Sequence, residues 1–474
     1  MLRRGAFSVG LWLLCAGCAL TPDYERPELD LPPEYVQPTP SGESIANLEW
    51  WNLYSDPKLR SLIEIALEEN QDLALALARV AEARYQVTFV RADQFPFLDV
   101  FGSGGRGRGS EREAGSTTHG SGPSLRTTDR FAIGGEISFE VDLWRKYSRA
   151  SEGARADLMA TEAAYRNVTI SLVASVASTY FLLRDLDARH QIALRTIEGR
   201  RESLEIIKAR FDKGTVPELD VNQAEIELAI AEVAAVSFER GIVQAQNALR
   251  VLLGSYPGEV DRGPELEDQR MPPEVPAGLT SDLLRRRPDV VAAEQTLAAE
   301  TARIGVAEAM RYPSISLTGS LGAIADELSD LNTNDAKAWN IAAGVFQPIF
   351  NSGRLKAQAR AQRARAEQSL YAYQGVLRQA FREVEDALVA VRTLRIEHAA
   401  RSRQVVAARN AARLSRARYD AGVVDYLEVL DTERTLFSSE LDESTTLRSS
   451  LDAVVQLYKA LGGGWTEPEP ETEG

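Results

Sequence analysis

Two carboxylates, Glu140 and Asp142, stand two residues apart near the end of an alternating stretch, a spacing that puts both on one face of a strand. Such a pair could serve as the acid and the base or nucleophile of a glycoside hydrolase. No other feature of a sugar-cleaving site accompanies them, and the plainer reading is a strand end or a water-filled lumen. The segment Gly102–Gly107, GSGGRG, fits the glycine pattern of a dinucleotide-binding turn. No helix opens after it and no ribose-binding acid follows, so a glycine-rich loop is the expectation. His119, His190 and His398 are too far apart to share a metal. Arg285, Arg286 and Arg287 could hold an anionic partner, but such a run is more often a solvated helix end, which is the expectation here. No nucleophile–base pair and no metal-ligand spacing appears, which argues against an enzyme.

The remaining reactive group is a thiol. The chain begins MLRRGAFSVGLWLLCAGCAL: two arginines, a short apolar run, small residues and Cys18. The run is too short to cross a membrane and reads as a secretory signal. Ending in CAGC, it is similar to a bacterial lipoprotein signal over residues 1–17, with Cys18 as the lipid-bearing first mature residue. Cys15 stands where such signals usually carry Leu. Ala19 rather than Asp follows Cys18, which in such lipoproteins implies the outer membrane. Cys15 and Cys18 are the only cysteines, so no disulfide framework is expected, nor any cofactor beyond the lipid. A net charge of −15 does not favour nucleic acid. No long uncharged apolar run follows the signal, so no transmembrane helix is expected.

The elements that position these residues come from a duplication. Ala209–Leu228, ARFDKGTVPELDVNQAEIEL, recurs as Ala417–Leu436, ARYDAGVVDYLEVLDTERTL. Arg210, Asp212, Gly214, Val216, Leu219, Val221, Glu225 and Leu228 find identical residues in the second copy, and Asp220 meets Glu428. Each glycine can take the left-handed conformation that ends a helix. Thr215 precedes Glu218 by three, and Asp425 precedes Glu428 by three, the spacing of a capping box; Pro217 fits the first turn of the new helix. Each copy is therefore the tip of a helical hairpin, one turning at about 212–218 and the other at about 420–426. The breaker-poor helical pattern leading to each tip would span about 100 Å at the α-helical rise.

Period-two alternation marks four strands, at about 97–105, 130–143, 314–322 and 338–350. Residues 61–253 thus form a first repeat and 281–462 a second. An extended arm (18–60) precedes them, a Pro- and Gly-rich linker (254–280) joins them, and a tail without structure (463–474) follows. The strands carry one apolar and one polar face. In lipid a sheet must close on itself, and four strands cannot. Eight leave the interior filled by side chains; twelve, from three chains, are the smallest multiple with a lumen. The fold expected is mainly α with a membrane β-barrel, a tandem-repeat protomer that trimerises into twelve strands and a helical tunnel.

Nearly the whole mature chain resembles the TolC-like outer-membrane factors, in particular the OprM-type lipoprotein branch. CALTPDYERP, WWNLYSDPKLRSLIEIAL, VPAGLTSDLLRRRPDVVAAE, YPSISLTGSLG, PIFNSGRLKA and RYDAGVVDYLEVLDTERTLF carry the resemblance, in the family's order. It implies a passive trimeric exit duct for small toxic compounds, a periplasmic adaptor, an inner-membrane pump of the resistance-nodulation-division type, and contact with outer-membrane lipid. A duct for secreted proteins and a non-conducting lipoprotein scaffold are the alternatives. It implies adaptor docking at the tips Gly214, Thr215, Val216, Gly422, Val423 and Val424. It also implies a constriction lined by Glu428 and Asp431, with a Tyr419–Asp220 tie holding one hairpin to the other. Glu428 also stands at the capping-box position, so both roles are open for it. Val424 replaces an arginine that some members carry in this turn, removing one inter-subunit link.

Overall fold

The structure, a computed structural model, describes residues 23–29, 31–37, 45, 53–108, 127–269, 278 and 280–463. Cys18 and the signal, His119, and the tail from 464 onward lie outside the described residues, as do much of the arm and part of the linker. The chain divides into two compact units, each assembled from both repeats.

The first unit holds the strands. β1 (Phe97–Arg108), β2 (Thr127–Glu140), β3 (Ser314–Ala325) and β4 (Lys337–Phe346) form one antiparallel sheet in the order β1-β2-β3-β4. Directly paired residues share a face. The register pairs Leu98 with Ile137 and Gly102 with Ile133, then Ile133 with Ala323 and Ile137 with Gly319, then Gly319 with Ile341 and Leu321 with Trp339. Leu98, Val100, Ile133, Ile137, Leu317, Leu321, Trp339, Ile341 and Val345 therefore fall on one side, while Phe97, Phe101, Ile324 and Phe346 lie on the other. Glu136, Ser138, Ser316, Ser320 and Asn340 share that other side. The apolar side is bare in the single chain: Val100 is 83%, Trp339 74% and Ile341 81% exposed.

Glycine matters at one crossing of this sheet. Gly134 pairs with Gly322, and a Cβ on Gly322 would lie 2.2 Å from the Ile133 carbonyl oxygen. Only two glycines let the backbones approach this closely. Phe101, paired with Gly134, lays its ring over the gap. The glycines of Gly102–Gly107 lie inside β1, each opposite a residue of β2, and so belong to a strand rather than a loop.

The carboxylate pair ends β2 and starts the next helix. Glu140 accepts from Lys146 Nζ at 2.6 Å and Tyr147 Oη at 2.9 Å. Asp142 accepts from the backbone N–H groups of Tyr147 and Ser148, which satisfies donors a helix start leaves open. Beside them Trp144 donates to the Pro313 carbonyl and packs on Tyr312.

Helices supply the rest. α1 (Pro57–Glu69) and α2 (Gln71–Ala92) precede the first strands, and α5 (Pro288–Ala309) precedes the second pair. α3 (Lys146–Asp212) and α6 (Arg354–Asp420) have 67 residues each. Their return helices α4 (Glu218–Leu252) and α7 (Tyr426–Ala460) have 35 each. Duplication thus preserved helix length to the residue.

The second unit buries the main core, with Leu59 and Ile63 of α1, Val176, Tyr180 and Leu183 of α3, Leu249 of α4 and Leu457 of α7. Asp56 anchors it: its carboxylate accepts from the N–H groups of Lys58 and Leu59, Tyr180 Oη at 2.6 Å and Gln269 Nε2 at 2.9 Å. Arg287 is 6% exposed and holds Asp289, Glu383 and the Ala460 carbonyl. It is an internal brace, not a solvated helix end.

The expectation of no membrane-length apolar helix needs one correction. α3 contains an 18-residue window of mean hydropathy 1.2, half of it buried within the chain. Val176, Tyr180 and Leu183, fully buried in the core, lie in α3. The apolar stretch is read as core-forming.

Candidate gate at the hairpin tips

Both hairpins turn through the same backbone device. Thr215 N–H donates to the Arg210 carbonyl and Gly214 N–H to that of Phe211; Val423 and Gly422 repeat this with Arg418 and Tyr419. These are the paired bonds of a Schellman ending. Gly214 and Gly422 sit at φ +71° and +72°, a region that strains residues with a Cβ.

The helices that follow start without a capping box. α4 has Pro217 and α7 has Asp425 at the cap position, and neither makes a side-chain cap bond. Pro217 thus precedes the first turn instead of lying in it. Thr215 Oγ1 donates backward to the Arg210 carbonyl at 2.8 Å, closing the old helix rather than opening the new one. Glu428 accepts from Arg418 Nη1 at 2.7 Å and so pins the two arms of its own hairpin.

Beneath the turns lies an apolar cluster of Leu204, Ile207, Ala224, Tyr419, Tyr426, Val429 and Leu430, with Val216 and Val424 packed against it. The six tip positions therefore split. Val216 and Val424 face inward, whereas Gly214, Thr215, Gly422 and Val423 are exposed. Val424, lacking the arginine's charge, joins the cluster.

The structure does not bring Tyr419 Oη to Asp220. The phenol oxygen is buried with no hydrogen-bond partner among the described residues. The ring instead packs on Tyr426 at 5.4 Å and carries the Arg210 guanidinium 4.9 Å from its centroid. Packing thus claims the ring that the expected tie would have used through its oxygen. Asp220 is half-buried, and burial followed by the nearby charge of Asp425 holds its carboxyl above the usual value. Asp431 is exposed and its carboxylate has no partner among the described residues.

Deeper between the hairpins lies a charge cluster that spacing did not reveal. Glu227, 3% exposed, meets Arg200 Nη2 at 3.0 Å and Arg434 Nε at 2.5 Å. Arg200, itself 5% exposed, also donates to the Glu227 carbonyl and lies over the Phe437 ring. Burial holds the Arg200 guanidinium below its ordinary value, while Glu227 and Glu433 pull it back up. Arg416 donates to Ser203 Oγ at 2.7 Å. A charged residue on an otherwise apolar helix face would have been the only sequence signal. Among the described residues, no group of three His, Cys, Asp or Glu is placed to hold a metal.

Comparison with known proteins follows the same lines. The family model for outer membrane efflux proteins matches residues 62–255 and 279–463. The chain is 34% identical over 462 residues to the cation efflux system protein CusC of Escherichia coli O157:H7, covering 96% of this chain and 97% of that one. It is 35% identical over 466 residues to the solvent efflux pump outer membrane protein SrpC of Pseudomonas putida, again covering 96% and 97%. The open state of the Neisseria gonorrhoeae MtrE outer membrane channel superimposes with a TM-score of 0.85 at 31% identity, over 94% of this chain and 98% of that chain.

Proposed function

The chain belongs to the outer membrane efflux protein family, and we propose that three copies of it form the passive exit duct of a tripartite efflux system, fed by an inner-membrane pump through a periplasmic adaptor. Membership places it in the outer membrane, extending into the periplasm, as an efflux channel.

The observation that carries the trimer is the sheet. Its register gathers most of the exposed apolar side chains, Val100, Leu321, Trp339 and Ile341 among them, on one face, the pattern of a strand surface in lipid. Among the described residues, β1 and β4 each have an edge that no strand covers, and such edges are untenable in a bilayer. Neighbouring copies supply the missing partners, and twelve strands leave a polar lumen. Trp144 and Tyr312, at the ends of β2 and β3, suit a membrane–water boundary.

At the hairpin tips, the exposed Gly214, Thr215, Gly422 and Val423 offer the adaptor a surface. Asp431, exposed and unpaired among the described residues, is the constriction residue. Threefold symmetry turns it into a ring of carboxylates that favours cations. Glu428 is partly neutralised by Arg418 and contributes less. Cys18 carries the lipid that tethers the chain, and small toxic compounds are the cargo.

Planar-bilayer recording of the purified protein tests this reading. The wild type should give a small, cation-selective conductance, and Asp431→Ala should lose the selectivity. Absence of any conductance would sink the duct, and unchanged selectivity in the variant would remove Asp431 from the constriction.

A further inference from the structure

We propose that Arg210 is a two-position latch, holding the first hairpin to the second through Asp420 and the Tyr419 ring, and returning to Asp220 on its own hairpin when the tips part. This rests on the reading of the chain as an exit duct constricted at its hairpin tips, and deepens it by naming what would open the constriction.

Duplication supplies the comparison. Arg210 and Arg418 occupy the same position in the two copies, as do Asp220 and Glu428. The turns between them share their bonds and their glycine conformation. In the second hairpin the arginine stays at home: Arg418 Nη1 lies 2.7 Å from Glu428 Oε1. In the first it does not. Arg210 Nη2 lies 3.8 Å from Asp420 Oδ1, and its guanidinium covers the Tyr419 ring. Asp220 is left without an ion pair among the described residues.

The same local turn therefore offers an arginine two destinations, one seen in each copy. What differs is the home acid. Asp220 is one methylene shorter than Glu428, so the home pair of the first hairpin is the harder to close. The competing site is strengthened by an aromatic face, which attracts a guanidinium. Asp420 is shared with Arg416, 3.9 Å away, so the cross-hairpin pair is held without being locked. Parting the tips breaks the Asp420 and Tyr419 contacts together. Asp220, half-buried and facing the like charge of Asp425, stands where Glu428 receives the arginine in the second hairpin and gains from a cation. The cost of opening is offset at one residue, which makes the two states close in free energy.

The test alters only the home acid. Asp220→Glu should draw Arg210 home and part the tips, and Asp220→Asn should hold it on the second hairpin. Spin labels at the exposed positions Lys213 and Ala421, each changed to Cys, report the tip separation by electron–electron resonance in detergent. Asp220→Glu should shift the distances outward and Asp220→Asn inward. Bilayer currents should rise and fall with them by about five-fold or more, the scale of a modest coupling between states. In an Arg210→Met background Asp220→Glu should do nothing further. Shifts of the same sign in both variants, or an Asp220→Glu effect that survives Arg210→Met, would overturn the latch. Opposite distance shifts without any current would leave the latch standing and remove the duct instead.

Discussion

Glu227→Gln is the change that should most loosen the hairpins while barely altering shape. Glu227 is 3% exposed and serves two cations. Arg434 is half in solvent, so losing that contact costs at most about 1 kcal/mol. Arg200 is 5% exposed, and stranding a buried charge typically costs about 3–5 kcal/mol. Glu433 also faces Arg200 and compensates in part, which puts the expectation near the low end, about 3 kcal/mol. That penalty falls on the local opening of α3 and α4 toward their tip, and hydrogen exchange reports such openings directly. Amide protection in peptides covering residues 196–232 should fall on the order of a hundred-fold, at about 1.4 kcal/mol per tenfold. Adding Arg200→Met removes the stranded charge and should return protection to within about ten-fold of wild type. Protection within about two-fold of wild type in Glu227→Gln would show that the cluster does not hold the hairpins. A double variant worse than the single would show that packing, not charge, is what the site supplies.

Gly322→Ala should prevent β2–β3 pairing, because its Cβ would meet the Ile133 carbonyl at 2.2 Å. Membrane-inserted oligomer should be lost on unheated gels, while Gly107→Ala, with open space around it, should assemble normally. Burial and Asp425 raise the Asp220 carboxyl in the observed packing, so the protonated form accompanies that packing: its contribution is full at low pH and fades as pH rises through the raised value. Lowering pH into the carboxylate range should therefore draw the tips together, and the difference between wild type and Asp220→Asn isolates this from Glu433, which burial also raises; no difference would exclude Asp220. Cys18→Ser should abolish labelling by a radioactive fatty acid, and label retained would place the lipid elsewhere.

Most of the architecture was legible because it rests on local rules. A helical pattern lasting 67 residues and a glycine that must end it survive any tertiary context, and alternation marks a half-exposed strand wherever the sheet goes. Errors arose where one residue type obeys two rules. Glycines mark loops, but Gly102–Gly107 lie in β1 because β2 supplies their partners. Thr215 has capping spacing, yet its hydroxyl finds the carbonyls of the helix behind it first. Tyr419 was expected to act through its oxygen, but its ring is worth more against Tyr426 and Arg210. Arg210 and Arg418 mark the limit of such reading. They are identical residues in identical turns, and one closes its own hairpin while the other leaves it. The home acid, Asp220 against the longer Glu428, and the neighbouring hairpin together distinguish them, since Asp420 and Tyr419 are presented to the first arginine by the second copy. Duplication wrote the same local device twice; packing the copies together gave the arginine of the first a partner in the other hairpin.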